Sequence, residues 1–307
     1  MKVWLLKLHR WIALAFGLPL IFVIATGLIL SFEPWLVDRS IVPGSLDAPR
    51  VLALMQQADP TGKATSLSYR SYDGTLTVSA GRGPGAGGTM VDVATGAAVS
   101  ERSALATLLG TARQIHERLL IDAGWLVTAS TLAMLALMLI GILMGIPRIR
   151  NTVAGWHKAI SWGLLPLVVL SPLTGLCLAW GITLTGSSGM GGAQAPLPSL
   201  TEAVQQLGAE HDLSGLIFLR QQGQKLMARI DEGGEYKVYD VTKNGITPMA
   251  RNWPRLWHEG NFAGGWSALL NLVTSLALMA LLGTGFWIWL RRNLKLRAAR
   301  ARRAAHA

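Results

Sequence analysis

Four of the chain's six histidines each stand at the head of an uncharged apolar run. His9 lies in Leu8-His9-Arg10, and His157 lies in Trp156-His157-Lys158, 148 residues on. His116-Glu117 and His258-Glu259 form a second matched pair, 142 residues apart. An imidazole at such a place can carry a proton, bind a metal ion or serve as an axial ligand of haem iron. No two histidines lie four apart on one helix, so a zincin-type metal motif is not available. His211, in the polar stretch GAEHDLS, and His306, in a basic tail, read as bystanders.

The elements that would position these side chains follow from composition. Of 307 residues 51% are hydrophobic and only 15% charged, and the mean hydropathy is +0.38. That balance belongs to a membrane protein. Trp11–Phe32, Trp125–Ile146, Ala159–Trp180 and Trp266–Leu290 contain no charged residue. Each is long enough to cross a bilayer, which takes about 20 residues. Aromatic residues mark most of their ends, as interfacial anchors do. The chain then divides into a first membrane helix (1–32), a long segment (33–124), a second helix (125–147), a short link (148–158), a third helix (159–180), a second long segment (181–265), a fourth helix (266–290) and a basic tail (291–307).

The net charge of +11 invites a nucleic-acid reading, but its placement argues against one. All 17 acidic residues lie in the two long segments, which also hold 15 of the 28 basic residues. The other 13 sit at the N-terminus, in the short link and in the tail, with no acid among them. The positive-inside rule makes those three stretches cytoplasmic, with both termini inside and both long segments outside. The tail is expected to meet anionic lipid, not nucleic acid. The first apolar run is expected to be an uncleaved anchor. Cys177 is the single cysteine, so no intramolecular disulfide forms, and no C-x-x-C-H exists for covalent haem attachment.

The spans repeat as well as the histidines. Thr26-Gly27 follows His9 by 17 residues, and Thr174-Gly175 follows His157 at the same distance; Pro19 and Pro166 precede them. Gly141 lies 25 residues after His116, and Gly283 lies 25 after His258. These matches define two parallel repeats, 1–150 and 151–307. The long segments share an order of helix, strand, strand. In the first, APRVLALMQQAD precedes the alternating SLSYRSYDGTLTVSA and TMVDVATGAAVS; in the second, PSLTEAVQQLGAEHD precedes GLIFLRQQGQKLMARID and YKVYDVTKNGITPM. Ser199 or Thr201 would cap the second helix with Glu202 in its first turn. Turns are expected at Asp92–Thr95 and at Asp240-Val241-Thr242. The fold class is a polytopic α-helical membrane protein of four helices in two parallel repeats, with two small α+β exterior modules.

A helix–strand–strand module ending in VDVATG or YDVTKNG, between spans that begin LHRW and GWHK, resembles the PepSY-associated transmembrane family over nearly the whole chain. That family includes bacterial iron-regulated inner-membrane proteins and periplasmic-facing ferric-siderophore reductases with two b-type haems. The resemblance implies a multi-pass protein of the bacterial inner membrane with two PepSY-like modules in the periplasm. It also implies an enzyme, a transmembrane haem-dependent reductase, whose acceptor is a ferric siderophore.

Topology pairs the histidines by depth without the family. His9 and His157 fall at the cytoplasmic face, and His116 and His258 at the exterior face. Each pair is expected to hold one haem b, giving two per chain. Arg10, Lys158, Arg148 and Arg150 are candidates to hold propionates at the inner face, and Arg113, Arg118, Arg251 and Arg255 at the outer. Glu117 and Glu259 would orient ligand segments or cap short helices. No Gly-rich dinucleotide fingerprint occurs, so electrons would come from a cytoplasmic or quinol donor and pass to a periplasmic acceptor. Two other readings compete: a haem electron carrier for a partner oxidoreductase, and a non-enzymatic membrane protein whose PepSY modules regulate an exterior protease. Membrane lipids are partners in every case; nucleic acid is not.

Overall fold

The computed structural model describes residues 2–80, 87–146, 148–185 and 196–305. His306 lies outside them. In chain order the helices and strands are α1 (Lys2–Ala15), α2 (Gly17–Leu30), α3 (Glu33–Ser40), α4 (Ala48–Ala58), β1 (Ser66–Arg70), β2 (Thr75–Ser79), β3 (Gly88–Asp92), β4 (Ala98–Val99), α5 (Ala104–Arg118), α6 (Gly124–Leu143), α7 (Val153–Gly163), α8 (Leu165–Ala179), α9 (Leu200–Glu210), β5 (Leu216–Gln222), β6 (Lys225–Glu232), β7 (Glu235–Thr242), β8 (Gly245–Pro248), α10 (Trp253–Glu259) and α11 (Gly265–Ala305). They fall into two compact units. A helical unit comprises Met1–Ser31, Thr111–Ile182 and Leu269–Ala307, and a sheet unit comprises Phe32–Gly110 and Thr183–Ala268.

Among the described residues three helices are long and apolar enough to cross a membrane, and the broken pair α7–α8 makes a fourth if it counts as one span. That pair bends by 68° at Leu164, two residues before Pro166. Proline lacks an amide hydrogen and crowds the preceding turn, so it suits a helix start, as Pro166 does here, although Pro172 sits inside α8. The helix is also interrupted between α1 and α2, at Phe16, three residues before Pro19. Each break falls seven residues after a histidine, His9 or His157. The expected first span, Trp11–Phe32, therefore straddles two helices.

Leu20 and Ile24 of α2, Met134 of α6, Val168 of α8, and Ala277 and Leu278 of α11 form one buried cluster, so all four apolar segments pack together. Large apolar side chains elsewhere on these helices are exposed, including Leu18, Leu139, Leu173 and Phe286. An outward apolar surface is what lipid requires. Ser31 and Ser275 share a buried hydrogen bond of 2.9 Å between α2's end and α11. Such polar pairs fix helices together where lipid offers no alternative partner.

The sheet unit differs from the two separate modules expected. Each long segment supplies four strands and one helix that covers the sheet, α4 or α9, and β1 pairs antiparallel with β5. One eight-stranded sheet results, in the order β4-β3-β2-β1-β5-β6-β7-β8. Leu67 stands opposite Leu219 at the seam. The stretches read as single strands fold back as hairpins at Gly74, Gly223 and Gly245, all with positive φ that suits glycine. One sheet face buries Leu67, Leu76, Val78, Leu219, Ala228 and Ile230 under Val51 and Leu54 of α4 and Val204 and Leu207 of α9. Ser199 and Glu202 form a complete capping box on α9. Asp92 accepts from the Thr95 amide and hydroxyl, as expected of that turn. Asp240 instead lies inside β7 and pairs with Lys225 at 3.3 Å; the turn there runs from Thr242 to Gly245.

Candidate functional site

His116, in the last turn of α5, places Nδ1 2.9 Å from the Val23 carbonyl of α2 and 3.3 Å from Thr26 Oγ1. A carbonyl oxygen only accepts, so Nδ1 carries the hydrogen. The Thr26 hydroxyl donates to the Phe22 carbonyl at 2.6 Å, so its oxygen is also left to accept. A neutral imidazole held this way carries its lone pair on Nε2, an atom able to ligate a metal. Gly27 lets the ring approach: a Cβ there would stand 3.1 Å from His116 Cε1.

His157, on α7, meets the same device on a different helix. Its Nδ1 lies 2.8 Å from Thr284 Oγ1 of α11, and the Thr284 hydroxyl donates to Ala280 at 2.6 Å. Thr284 therefore accepts, and His157 takes the same tautomer. The Leu281 carbonyl lies beside this ring as Val23's lies beside His116. Gly285 follows Thr284, and a Cβ on it would stand 3.5 Å from His157 Cε1. Each seat thus reads as a carbonyl, then a threonine three residues on, then glycine: Val23, Thr26, Gly27 and Leu281, Thr284, Gly285. Sequence reading singled out Thr26-Gly27 but missed Thr284-Gly285. The signal was present, since Thr-Gly recurs within the apolar segments, but spacing from the nearest upstream histidine pointed to Thr174-Gly175 instead.

His9, on α1, is seated less completely. Its Nδ1 is buried beside the Leu137 carbonyl of α6 but makes no hydrogen bond of good geometry. Leu137 stands four residues before Gly141, as Val23 stands four before Gly27. His9 and His157 are close enough to feel each other's charge, so the structure brings this expected pair into one neighbourhood. His116 belongs to the helical unit and His258, on α10, to the sheet unit.

Beside His258, Glu259 accepts from Arg229, from Arg255 at 2.7 Å and from Asn261 at 2.9 Å. Burial acts to raise the Glu259 pKa, and the two guanidiniums overcome it and hold the carboxyl at about 2. Glu259 is thus an anchor for α10. Glu117 is exposed. Of the outer candidates for propionates, Arg118 pairs with Asp122, Arg251 with Glu235 and Arg255 with Glu259. Arg10, Arg148, Arg150 and Lys158 have no carboxylate partner among the described residues, which suits them better to an acidic ligand. Trp11, Trp125 and Trp266 are largely exposed, as interfacial anchors are. His211 bonds Glu232 at 2.7 Å and packs on Tyr239, so it is part of the sheet unit's framework.

No curated protein matches the chain. Residues 6–292 match the PepSY-associated TM region, which spans both units and all four apolar segments. The chain belongs to the PepSY-associated transmembrane family.

Proposed function

We propose that the protein is a di-haem b oxidoreductase of the bacterial inner membrane, carrying electrons from a cytoplasmic or quinol donor to a periplasmic acceptor, a ferric siderophore. His9 and His157 would hold one haem towards the cytoplasm, and His116 and His258 the other towards the periplasm. The observation that carries this reading is the anchoring of Nδ1 in His116 and His157, which presets Nε2 as the ligating atom. A surface imidazole has no need of a buried carbonyl, a threonine acceptor and a glycine gap arranged twice.

Bound haem would supply a one-electron carrier whose potential responds to ligand basicity and burial. The chain's own residues set those conditions. Thr26 and Thr284 orient the rings and strengthen them as donors. Gly27 and Gly285 admit the rings to the helix backbone, where both stand half-buried. Reduction to the ferrous state weakens a siderophore's hold on iron, which gives the outward electron a use.

A reduced-minus-oxidised visible spectrum with a pyridine haemochrome count tests the reading. Two b-type haems per chain are expected, and a chain expressed with ample haem that shows no Soret band would sink it. Dithionite-reduced protein mixed anaerobically with ferric siderophores should reoxidise. Failure with every one would indicate a partner oxidoreductase as acceptor.

A further inference from the structure

The sheet face opposite α4 and α9 is polar, and it gathers three arginines of which one has no carboxylate partner among the described residues. Phe218 and Arg229 are direct cross-strand partners, so their side chains share a face, and Arg220 lies two residues along β5 on that face. Arg255, on α10, comes close enough that Arg220 feels the charge of both Arg229 and Arg255. Three guanidiniums therefore meet, and one carboxylate, Glu259, serves two of them.

Arg220 is left over. It is exposed, its side chain makes no hydrogen bond among the described residues, and its guanidinium carbon stands 4.2 Å from the Phe218 ring centroid. Stacking holds the fork in place while leaving its donors at the edge. Arg229 is buried, and its Nε has no partner, although a buried charged donor ordinarily finds one. Arg70 Nη1 and Thr77 Oγ1, on the same face of β1 and β2, are also buried without partners. Other carboxylates approach this face, but at Arg229 and not at Arg220. Asp240 is taken by Lys225, and Asp231, with Glu33 and Asp38 beside it, lies towards Arg229 and Tyr236.

We propose that Arg220, Arg229 and Arg255 form a binding site for a small carboxylate- or phosphate-bearing anion, entered from the exposed side at Arg220. Planar forks match such oxyanions two bonds at a time. Arg220 and the exposed edge of Arg255 would touch the anion, and Arg229 would add charge from behind. The site uses sheet-unit residues alone and stands whether or not the histidines hold haem.

Calorimetric titration of the full chain in detergent with citrate, and separately with inorganic phosphate, tests this. At least one probe should bind saturably, and whichever does identifies the carboxylate or the phosphate source. Arg220→Gln should weaken that binding about tenfold or more. Arg220→Lys, which keeps the charge and loses the fork, should fall between the two. The Arg220 side chain forms no hydrogen bond or ion pair among the described residues, so Arg220→Gln should melt close to the wild type. If it does not, Arg220→Lys and Arg255→Gln carry the test. Absence of saturable binding by either probe would overturn the proposal, as would full affinity in these variants.

Discussion

The seats of His116 and His157 use the same parts in different proportions. His116 rests mainly on a backbone carbonyl, with Thr26 as a longer second acceptor at 3.3 Å, and its ring presses close to Gly27. His157 rests mainly on the Thr284 hydroxyl at 2.8 Å and stands further from Gly285. Backbone cannot be mutated away, whereas a hydroxyl can. One seat is therefore robust in its acceptor and tight in its space; the other is sensitive in its acceptor and roomy in its space.

The largest expected effect tests whether the two seats serve different groups. His157→Ala and His9→Ala should remove one and the same haem component from the reduced spectrum, and His116→Ala should remove the other. Loss of one shared component by His9→Ala and His116→Ala would break the pairing. Next, Gly27→Ala should cut haem retention on the His116 side by about tenfold, the scale of a lost ligand-orienting contact. Gly285→Ala should leave the His157 side near wild type, because 3.5 Å is ordinary contact. Equal sensitivity would erase the difference in space. Smaller again, Thr284→Val should weaken the His157 component more than Thr26→Val weakens that of His116, since the Val23 carbonyl still accepts about 1 kcal/mol of hydrogen bond. A midpoint potential measured for each component reads this directly.

A last effect, on stability and not on haem, sets the anchored imidazoles against their sheet-unit counterpart, His258, whose neighbour Glu259 is held by charge. Glu259 has a folded pKa of about 2 against an ordinary 4.5. A depressed carboxylate adds stability above its unfolded pKa and loses it as pH falls through the folded one. Glu259→Gln should therefore melt below wild type at pH 7. The gap should close as pH falls from 4.5 towards 2. A gap that persists there would assign the loss to packing and not to charge.

Much of the helical unit could be read in the chain because its determinants are local. Charge-free runs mark the apolar helices, and prolines mark the two breaks. The histidines stand out because polar rings beside apolar runs are few. Thr284 escaped because its partner lies 127 residues away on another helix, a relation that spacing along one segment does not carry. The hairpins at Gly74, Gly223 and Gly245 had turn residues in plain view, yet continuous alternation across them read as single strands. The β1–β5 seam had no local signal at all. It joins Ser66–Ser68 to Phe218–Arg220, and only tertiary folding brings those rungs into register.

That seam has a consequence for how such a chain can be cut. β1 and β5 hold the same place in their strand sets and meet antiparallel, so each edge is shaped to receive the other. A fragment carrying only the first half would expose β1 as a bare edge with nothing to cap it. The edge it is best shaped to join is one like its own, supplied by a second fragment across a twofold axis. Severed halves are therefore expected as pairs, not as monomers, and the intact chain is a dimer's geometry closed within one polypeptide.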